Sequence, residues 1–228
     1  MFAKEAEMTD HVARWMRSGG MHVKSEFLTP WGACDLVGMR FDPQKVAHRL
    51  QLRQTCSISS ITRAFLLLQI PETEDGKPVT VTKLIRESAP SIPENVVRNE
   101  MARLIADGFA VTTSRGRLLK VNGWMPMHDR LISVELKLSR IEEALNQALN
   151  NLGFADESYV AFPAQVAERV STNPSRWRAF LDAGVGVLAV GRQDCAVLRP
   201  AQKAIGWVDA AVQLYCVEKF WRTRAKGN

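Results

Sequence analysis

WGACDLVG, residues 31 to 38, sets a carboxylate, Asp35, inside an otherwise apolar run. With the preceding MHVKSEFL (21–28) and a turn at Thr29-Pro30, the run predicts the second strand of a hairpin. Alternate residues of a strand share a face, so Asp35 points with Ala33 and Val37, and Cys34 and Leu36 point the other way. That face reads as buried, and a buried carboxylate needs a partner. Asp35 either reaches solvent or a backbone N–H at a strand end, or it belongs to a site.

A second stretch, LISVELKLS (131–139), repeats the anomaly with two charges. Ile132, Val134, Leu136 and Leu138 take one face of a strand, and Ser133, Glu135 and Lys137 take the other. Each charge costs several kcal/mol to desolvate unless it is paired or bound to an ion. A magnesium ion takes oxygen ligands, typically one or two carboxylates with water and substrate phosphate. Asp35 and Glu135 on adjacent strands supply those carboxylates, with Lys137 placed to orient or activate water. The alternative for the Glu135 and Lys137 pair is an exposed edge strand with an ordinary salt bridge.

Around these strands the pattern is that of an α/β protein. Met8, Val12, Trp15 and Met16 follow the helical period, and SGG (18–20) ends that helix. After LISVELKLS, the residues Ile141, Ala144, Leu145, Ala148, Leu149 and Leu152 form one helical stripe, with Gln147 on its flank. ESYVAFP (157–163) and VGVLAVG (185–191) read as strands, separated by helical sequence interrupted at Asn173-Pro174. VDAAVQLYCVEKFWRTRAK (208–226) closes the chain as an amphipathic helix with a basic end, packed on the core or bound to phosphate.

Asp35 and Glu135 stand a hundred positions apart, too far for a loop inside a compact domain. SSITRAFLLLQIP (59–71) predicts a helix with a serine cap and a proline stop. VTVTKLIRESAP (79–90) predicts a second, with Thr82 as cap. SIPENVVRNEMARLIADGFA (91–110) predicts a third, with Pro93 in its first turn and Gly108 at its end. FAVTTSRGRLLKVNG (109–123) then gives two short strands about SRGR.

The order of a helix, a hairpin carrying Asp in ACDLVG, a strand carrying ELK, and a helix with a glutamine resembles the PD-(D/E)XK nuclease superfamily. The resemblance covers about residues 5–41 and 129–200. Asp35 matches the first motif acid, Glu135 and Lys137 match the ExK pair, and Gln147 matches a glutamine seen on the following helix in many branches. Cys34 departs from the proline common before the first acid, and Asn151 replaces the tyrosine that often trails the glutamine. The resemblance implies a restriction-endonuclease-like mixed central sheet flanked by helices. It also implies Mg²⁺-dependent phosphodiester hydrolysis, with Mn²⁺ substituting, by Asp35, Glu135, Lys137 and Gln147. Because some members add a helix carboxylate to the metal site, Glu7 is a further ligand candidate; Glu26 is another nearby acid.

The three helices and hairpin of about 57–123 resemble the winged helix-turn-helix family. The expected organisation is a discontinuous nuclease-like core, 1–50 and 125–228, with a winged helix inserted over 51–124. The resemblance implies major-groove contacts from Asn95, Arg98, Asn99 and Arg103, and backbone contacts from Arg115, Arg117 and Lys120 on the wing. Glu94 and Glu100 share the third helix, which leaves a protein partner for the winged helix open.

The 228 residues, 46% hydrophobic and 24% charged, suffice for one or two folded domains. A net charge of +6 favours a polyanionic partner. The four cysteines show no CxxC pair, which favours reduced thiols over a zinc site. No apolar run approaches the roughly 20 residues of a membrane helix, and the N-terminus lacks a signal-peptide core, so a cytoplasmic protein is expected. The sequence thus predicts a metal-dependent endonuclease on duplex DNA, homodimeric if both strands are cut. The alternative is an inactive nuclease fold acting as a DNA-binding or adaptor protein.

Overall fold

Period-two alternation along four of the predicted strands builds a six-stranded sheet. The structure is a computed structural model describing residues 2–72, 77–88, 91–204, 206 and 208–224. Its elements in chain order are a 3-10 turn (Glu5–Met8), α1 (Thr9–Ser18), β1 (His22–Thr29), β2 (Gly32–Phe41), α2 (Pro43–Gln51), α3 (Ile61–Gln69), α4 (Val81–Ser88) and α5 (Glu94–Ala106). There follow β3 (Ala110–Thr112), β4 (Leu118–Lys120), β5 (His128–Leu136), α6 (Ile141–Asn151), β6 (Glu157–Pro163), α7 (Ala164–Thr172), α8 (Pro174–Asp182), β7 (Gly186–Val190), β8 (Cys195–Arg199) and α9 (Ala210–Arg224). Two units result: Met1–Arg40 with Asp129–Asp209, and Phe41–His128 with Ala210–Asn228.

In the first unit the strand order is β1-β2-β5-β6-β7-β8. β1 and β2 are antiparallel, β5, β6 and β7 run parallel, and β8 returns antiparallel at the edge, so the sheet is mixed as expected. Helices cover both faces, because both faces of β6 are apolar. Tyr159 and Ala161 join Met8, Val12 and Met16 of the α1 side with Leu36, Val134 and Leu136. Val160 and Phe162 join Ala144 and Ala148 of α6, Val166 and Val170 of α7 and Phe180 of α8. The break between α7 and α8 falls at Asn173, whose side chain caps α8 through the Arg176 N–H. Gly38 lets α1 approach the sheet, since a Cβ there would lie 2.7 Å from Met16 Cε.

The second unit holds three helices, α3 to α5, followed by the β3–β4 hairpin around a core of Leu66, Leu67, Leu84, Val97, Met101, Leu104 and Phe109. Ser60 caps α3 as predicted, whereas α4 is capped by Thr80 rather than Thr82. Pro93 precedes α5 as its cap residue, and Gly108 takes the left-handed conformation at φ 77° after it. The predicted helix ends at 89–90 and 225–226 lie outside the described residues.

The unit boundaries differ from the expected 51–124 insertion. Helix α2, whose residues 43–50 fall in the expected 1–50 part of the nuclease-like core, and α9, in its expected 125–228 part, both belong to the second unit. The reason is a buried ion pair. Arg49 of α2 is 2% exposed and Glu218 of α9 is fully buried, and they pair through both guanidinium ends. Arg49 also donates to the Gln54 and Cys56 carbonyls, and its guanidinium lies 5.1 and 5.2 Å from the Phe109 and Trp221 rings. Glu218 takes the Ile58 N–H at 2.8 Å. Leu214 meanwhile joins the core of α3 and α5.

Removing one partner of such a pair strands the other charge, at about 3–5 kcal/mol. Arg49→Met is expected to lower the stability of the second unit by that amount, and Arg49→Met with Glu218→Met to recover most of it. Urea unfolding followed by tryptophan fluorescence measures both; equal losses in the single and double variants would contradict it.

Candidate active site

β2 and β5 are neighbours in the sheet, so the sequence-distant Asp35 and Glu135 come together. Asp35 is half-buried, and its Oδ2 accepts the Leu136 N–H at 2.7 Å. That backbone contact is one of the two alternatives open from sequence. It does not consume the carboxylate, because a carboxylate offers about four acceptor positions. Opposite Asp35 the β1–β2 ladder misses a pair: Ser25 faces Leu36 and Phe27 faces Cys34, but Glu26 sits between them at φ 48°. A left-handed non-glycine residue inside a strand stores about 1–3 kcal/mol of strain and is most often held at functional sites. Glu26 itself is exposed.

Glu135 is 3% exposed and forms no ion pair with a described residue. Its Oε1 accepts the Asn151 amide at 2.7 Å, and the same amide lies 3.5 Å from Cys34 Sγ. Burial pushes the Glu135 carboxyl above its ordinary value; the Asn151 hydrogen bond pulls it back, and the charge of Asp35 pushes it up again. Burial, reinforced by Glu135, also holds the Cys34 thiol well above its ordinary value. The thiol stays protonated and donates to the Leu36 carbonyl at 3.3 Å. Cys34 is therefore a packing donor beside the acids and not a thiolate nucleophile.

Lys137 follows β5 and is 6% exposed. Its backbone N–H bonds the Ala161 carbonyl, and its Nζ lies 4.0 Å from Glu5 Oε2. Glu5 Oε1 accepts the Leu138 N–H at 3.2 Å. Glu5, not the expected Glu7, is thus the helix-borne carboxylate at this end of the sheet. Glu7 is exposed and its Oε2 takes the Ala3 N–H at 2.8 Å, a local cap. Gln147 stands one turn before Asn151 on the same side of α6, and its Oε1 is buried without a hydrogen-bond partner among the described residues.

Asp35, Glu135 and the orphan oxygen of Gln147 are hard oxygen donors, the kind a magnesium ion takes. Among the described residues no group of three or more His, Cys, Asp and Glu side chains is arranged to hold a metal. The pair Asp35 and Glu135 suffices when waters and phosphate complete the shell. The residues fit a magnesium ion on that ground, and a buried carboxylate without a protein cation is otherwise unfavourable.

In the second unit Asn95, Arg98, Asn99 and Arg103 are exposed on α5, as predicted. Arg98 pairs with Glu94 at 2.6 Å on the surface, and Arg103 lies 3.7 Å from Glu100. Glu100 is turned inward, where Arg63 Nε meets it at 2.6 Å, so the exposed face is less acidic than the sequence suggests. Arg115 and Arg117 are exposed at the hairpin tip. Lys120 is not available as expected: its side chain is 12% exposed, 3.7 Å from Glu72 and 5.5 Å from the Trp124 ring centroid. No helix among the described residues is long and apolar enough to cross a membrane.

No family model and no curated protein matches the chain. A solved structure, the SPO1766 protein of unknown function from Silicibacter pomeroyi, is similar at 13% identity over 99% of this chain and 88% of that one, with a TM-score of 0.46.

A carboxyl with a raised folded pKa binds more protons folded than unfolded, so stability falls as pH rises from its ordinary value through the raised one. Near neutral pH Glu135 is therefore a cost to the metal-free protein. Glu135→Gln is expected to raise its Tm by a few degrees. Millimolar Mg²⁺ is expected to raise the Tm of the natural chain, and the same substitution to remove that rise. Calorimetry with and without EDTA checks both, and an unchanged or lowered metal-free Tm would sink the prediction.

Proposed function

We propose that the chain is a metal-dependent phosphodiesterase acting on DNA, with its chemistry in the first unit and duplex binding in the second. One observation carries the reading. Glu135 is a buried carboxylate held by an amide, Asn151, with no cation among the described residues bonded to it and with Asp35 on the neighbouring strand. Asp35 and Glu135 would hold the Mg²⁺, or Mn²⁺ in its place, with Gln147 offering its unbonded oxygen. When bound, the ion would supply a Lewis acid for the phosphoryl oxygen and a water of lowered pKa. Asn151 orients Glu135, Glu5 and the strand end hold Lys137, and Lys137 orients the attacking water or stabilises charge building on phosphorus. Asn95, Arg98, Asn99 and Arg103 of α5, with Arg115 and Arg117, would meet the duplex, phosphate contacts setting position and base contacts setting preference. A cut through both strands takes two such sites, which a homodimer provides.

The Asp35 bond to the Leu136 N–H favours a second reading, an inactive nuclease fold that binds DNA or a protein partner, because a purely structural aspartate makes the same bond. Cleavage separates the two.

The purified chain is expected to nick or linearise supercoiled plasmid with Mg²⁺ or Mn²⁺ and to stop on adding EDTA. Asp35→Ala and Lys137→Ala should each lose at least ~10²-fold in rate. DNA bound but uncut under every metal would favour the second reading. Arg115→Ala and Arg117→Ala should weaken duplex binding alike across sequences, each lowering the slope of log affinity against log salt by about 0.9. A filter-binding salt series reads that slope, and unchanged slopes would remove these arginines from the interface.

A further inference from the structure

Beside this site, still within the first unit, lies an open cleft of about 940 Å³ whose walls include Trp31, Leu149, Leu152, Gly153, Gln202 and Lys203. Trp31 is 53% exposed at the tip of the β1–β2 hairpin, an unusual place for the largest apolar side chain. It is nevertheless seated. A Cβ on Gly153 would fall 2.6 Å from Trp31 Cζ3 and 2.8 Å from Cη2, so the indole edge rests on bare backbone after α6. Gly153 has no positive φ that would itself call for glycine. Its lack of a side chain is explained by the ring it carries. The result is a fixed aromatic platform with one edge buried and much of its surface in solvent.

On the other side of the cleft Lys203 and Gln202 are exposed, and Lys203 makes no ion pair with a described residue. The acid in the wall, Asp182, is 3.6 Å from Arg178 Nε and so is partly neutralised. An aromatic face, an amide and an unpaired ammonium around an apolar floor match a nucleobase with its phosphate: stacking on the ring, hydrogen bonds to the amide, charge to the lysine. A base inside a duplex already has both faces covered, so the ligand must be unstacked. The place fits as well. Trp31 precedes Asp35 by four residues, about 13 Å of extended chain. That is about four nucleotides of one stacked strand, and fewer if the strand is drawn out. Asn150 in the cleft wall adjoins Asn151, which holds Glu135.

We infer that this cleft receives an unpaired nucleobase of the strand being cut, stacked on Trp31, which makes single-stranded or locally opened DNA the substrate of the first unit. The inference deepens the phosphodiesterase reading and rests on it for the word substrate. The probe is a single-stranded oligonucleotide carrying 2-aminopurine, titrated with the full chain in EDTA so that binding is read without hydrolysis. The natural chain is expected to quench the probe, Trp31→Phe to keep most of the affinity, and Trp31→Ala to lose about tenfold. Gly153→Val, which displaces the ring without removing it, should lose a similar factor, while duplex affinity of all three variants stays within about twofold. Equal affinity and quenching in Trp31→Ala and the natural chain would overturn the inference. Plasmid cleavage by the same preparations keeps the two claims apart. Cleavage with no Trp31-dependent quenching overturns the base site alone. Trp31-dependent quenching without cleavage under any metal keeps the base site and removes the phosphodiesterase.

Discussion

Everything at the centre of the first unit follows from one constraint: a carboxylate, Glu135, is buried in a sheet where the described residues supply an amide and no bonded cation. Alternation on β5 forces this, because Val134 and Leu136 must face α1 and so turn Glu135 toward α6. The surrounding structure then works to keep that charge tolerable. Asn151 donates to it, Cys34 stays a neutral thiol next to it, and the Glu26 distortion leaves Asp35 without a regular ladder partner across the hairpin. Lys137 is near enough to lower the Glu135 carboxyl but is held toward Glu5 instead of closing a pair. Had it paired with Glu135, the strand would be electrostatically complete.

The second unit solves the opposite problem. There a full positive charge, Arg49, is buried, and it is completely paired, sandwiched and hydrogen-bonded. Buried charge that is fully answered by the protein is architecture, whereas buried charge without a bonded cation among the described residues leaves room for a ligand. The contrast within one chain is what gives Glu135 its weight. Arg63 and Glu100 repeat the architectural kind between α3 and α5.

Much of this was legible in the residues. Period-two alternation placed Glu135 and Lys137 on the face opposite Val134 and Leu136 and marked β6, and the continuous apolar run 185–191 marked β7. Asn173-Pro174 marked the break between α7 and α8. What escaped has physical reasons. Glu5 and Glu7 are two apart, and which one meets the sheet depends on the 3-10 turn that replaces the first α-helical turn, a geometry with no strong local signal. Asn151 was visible only as a missing tyrosine, since an amide that bonds a residue 16 positions earlier has no local signature. Lys120 looks like a wing cation because its charge is visible in sequence, and the ring under it is not. α9 is amphipathic, and amphipathicity says that a face is buried without saying against what. α2 carries a start signal, Asp42 before Pro43, but the face it buries is Val46 and Arg49, so no apolar stripe marks it as a packed helix.

The allegiance of α9 matters for the order in which the chain can acquire structure. A chain emerging from the ribosome tends to fold from its N-terminus as units become complete. Here the first strands, β1 and β2, must wait for β5 before the sheet has a centre, and the intervening segment must wait for α9. Until Glu218 is made Arg49 has no counter-charge, and Trp221, one of its two rings, is made only after it, so the guanidinium stays in water until α9 is complete. The second unit therefore begins before the first is finished and ends after it. Each is closed by chain from beyond the other, so a nascent chain stalled between 129 and 209 would present one unit without its final helix and the other without its last strands.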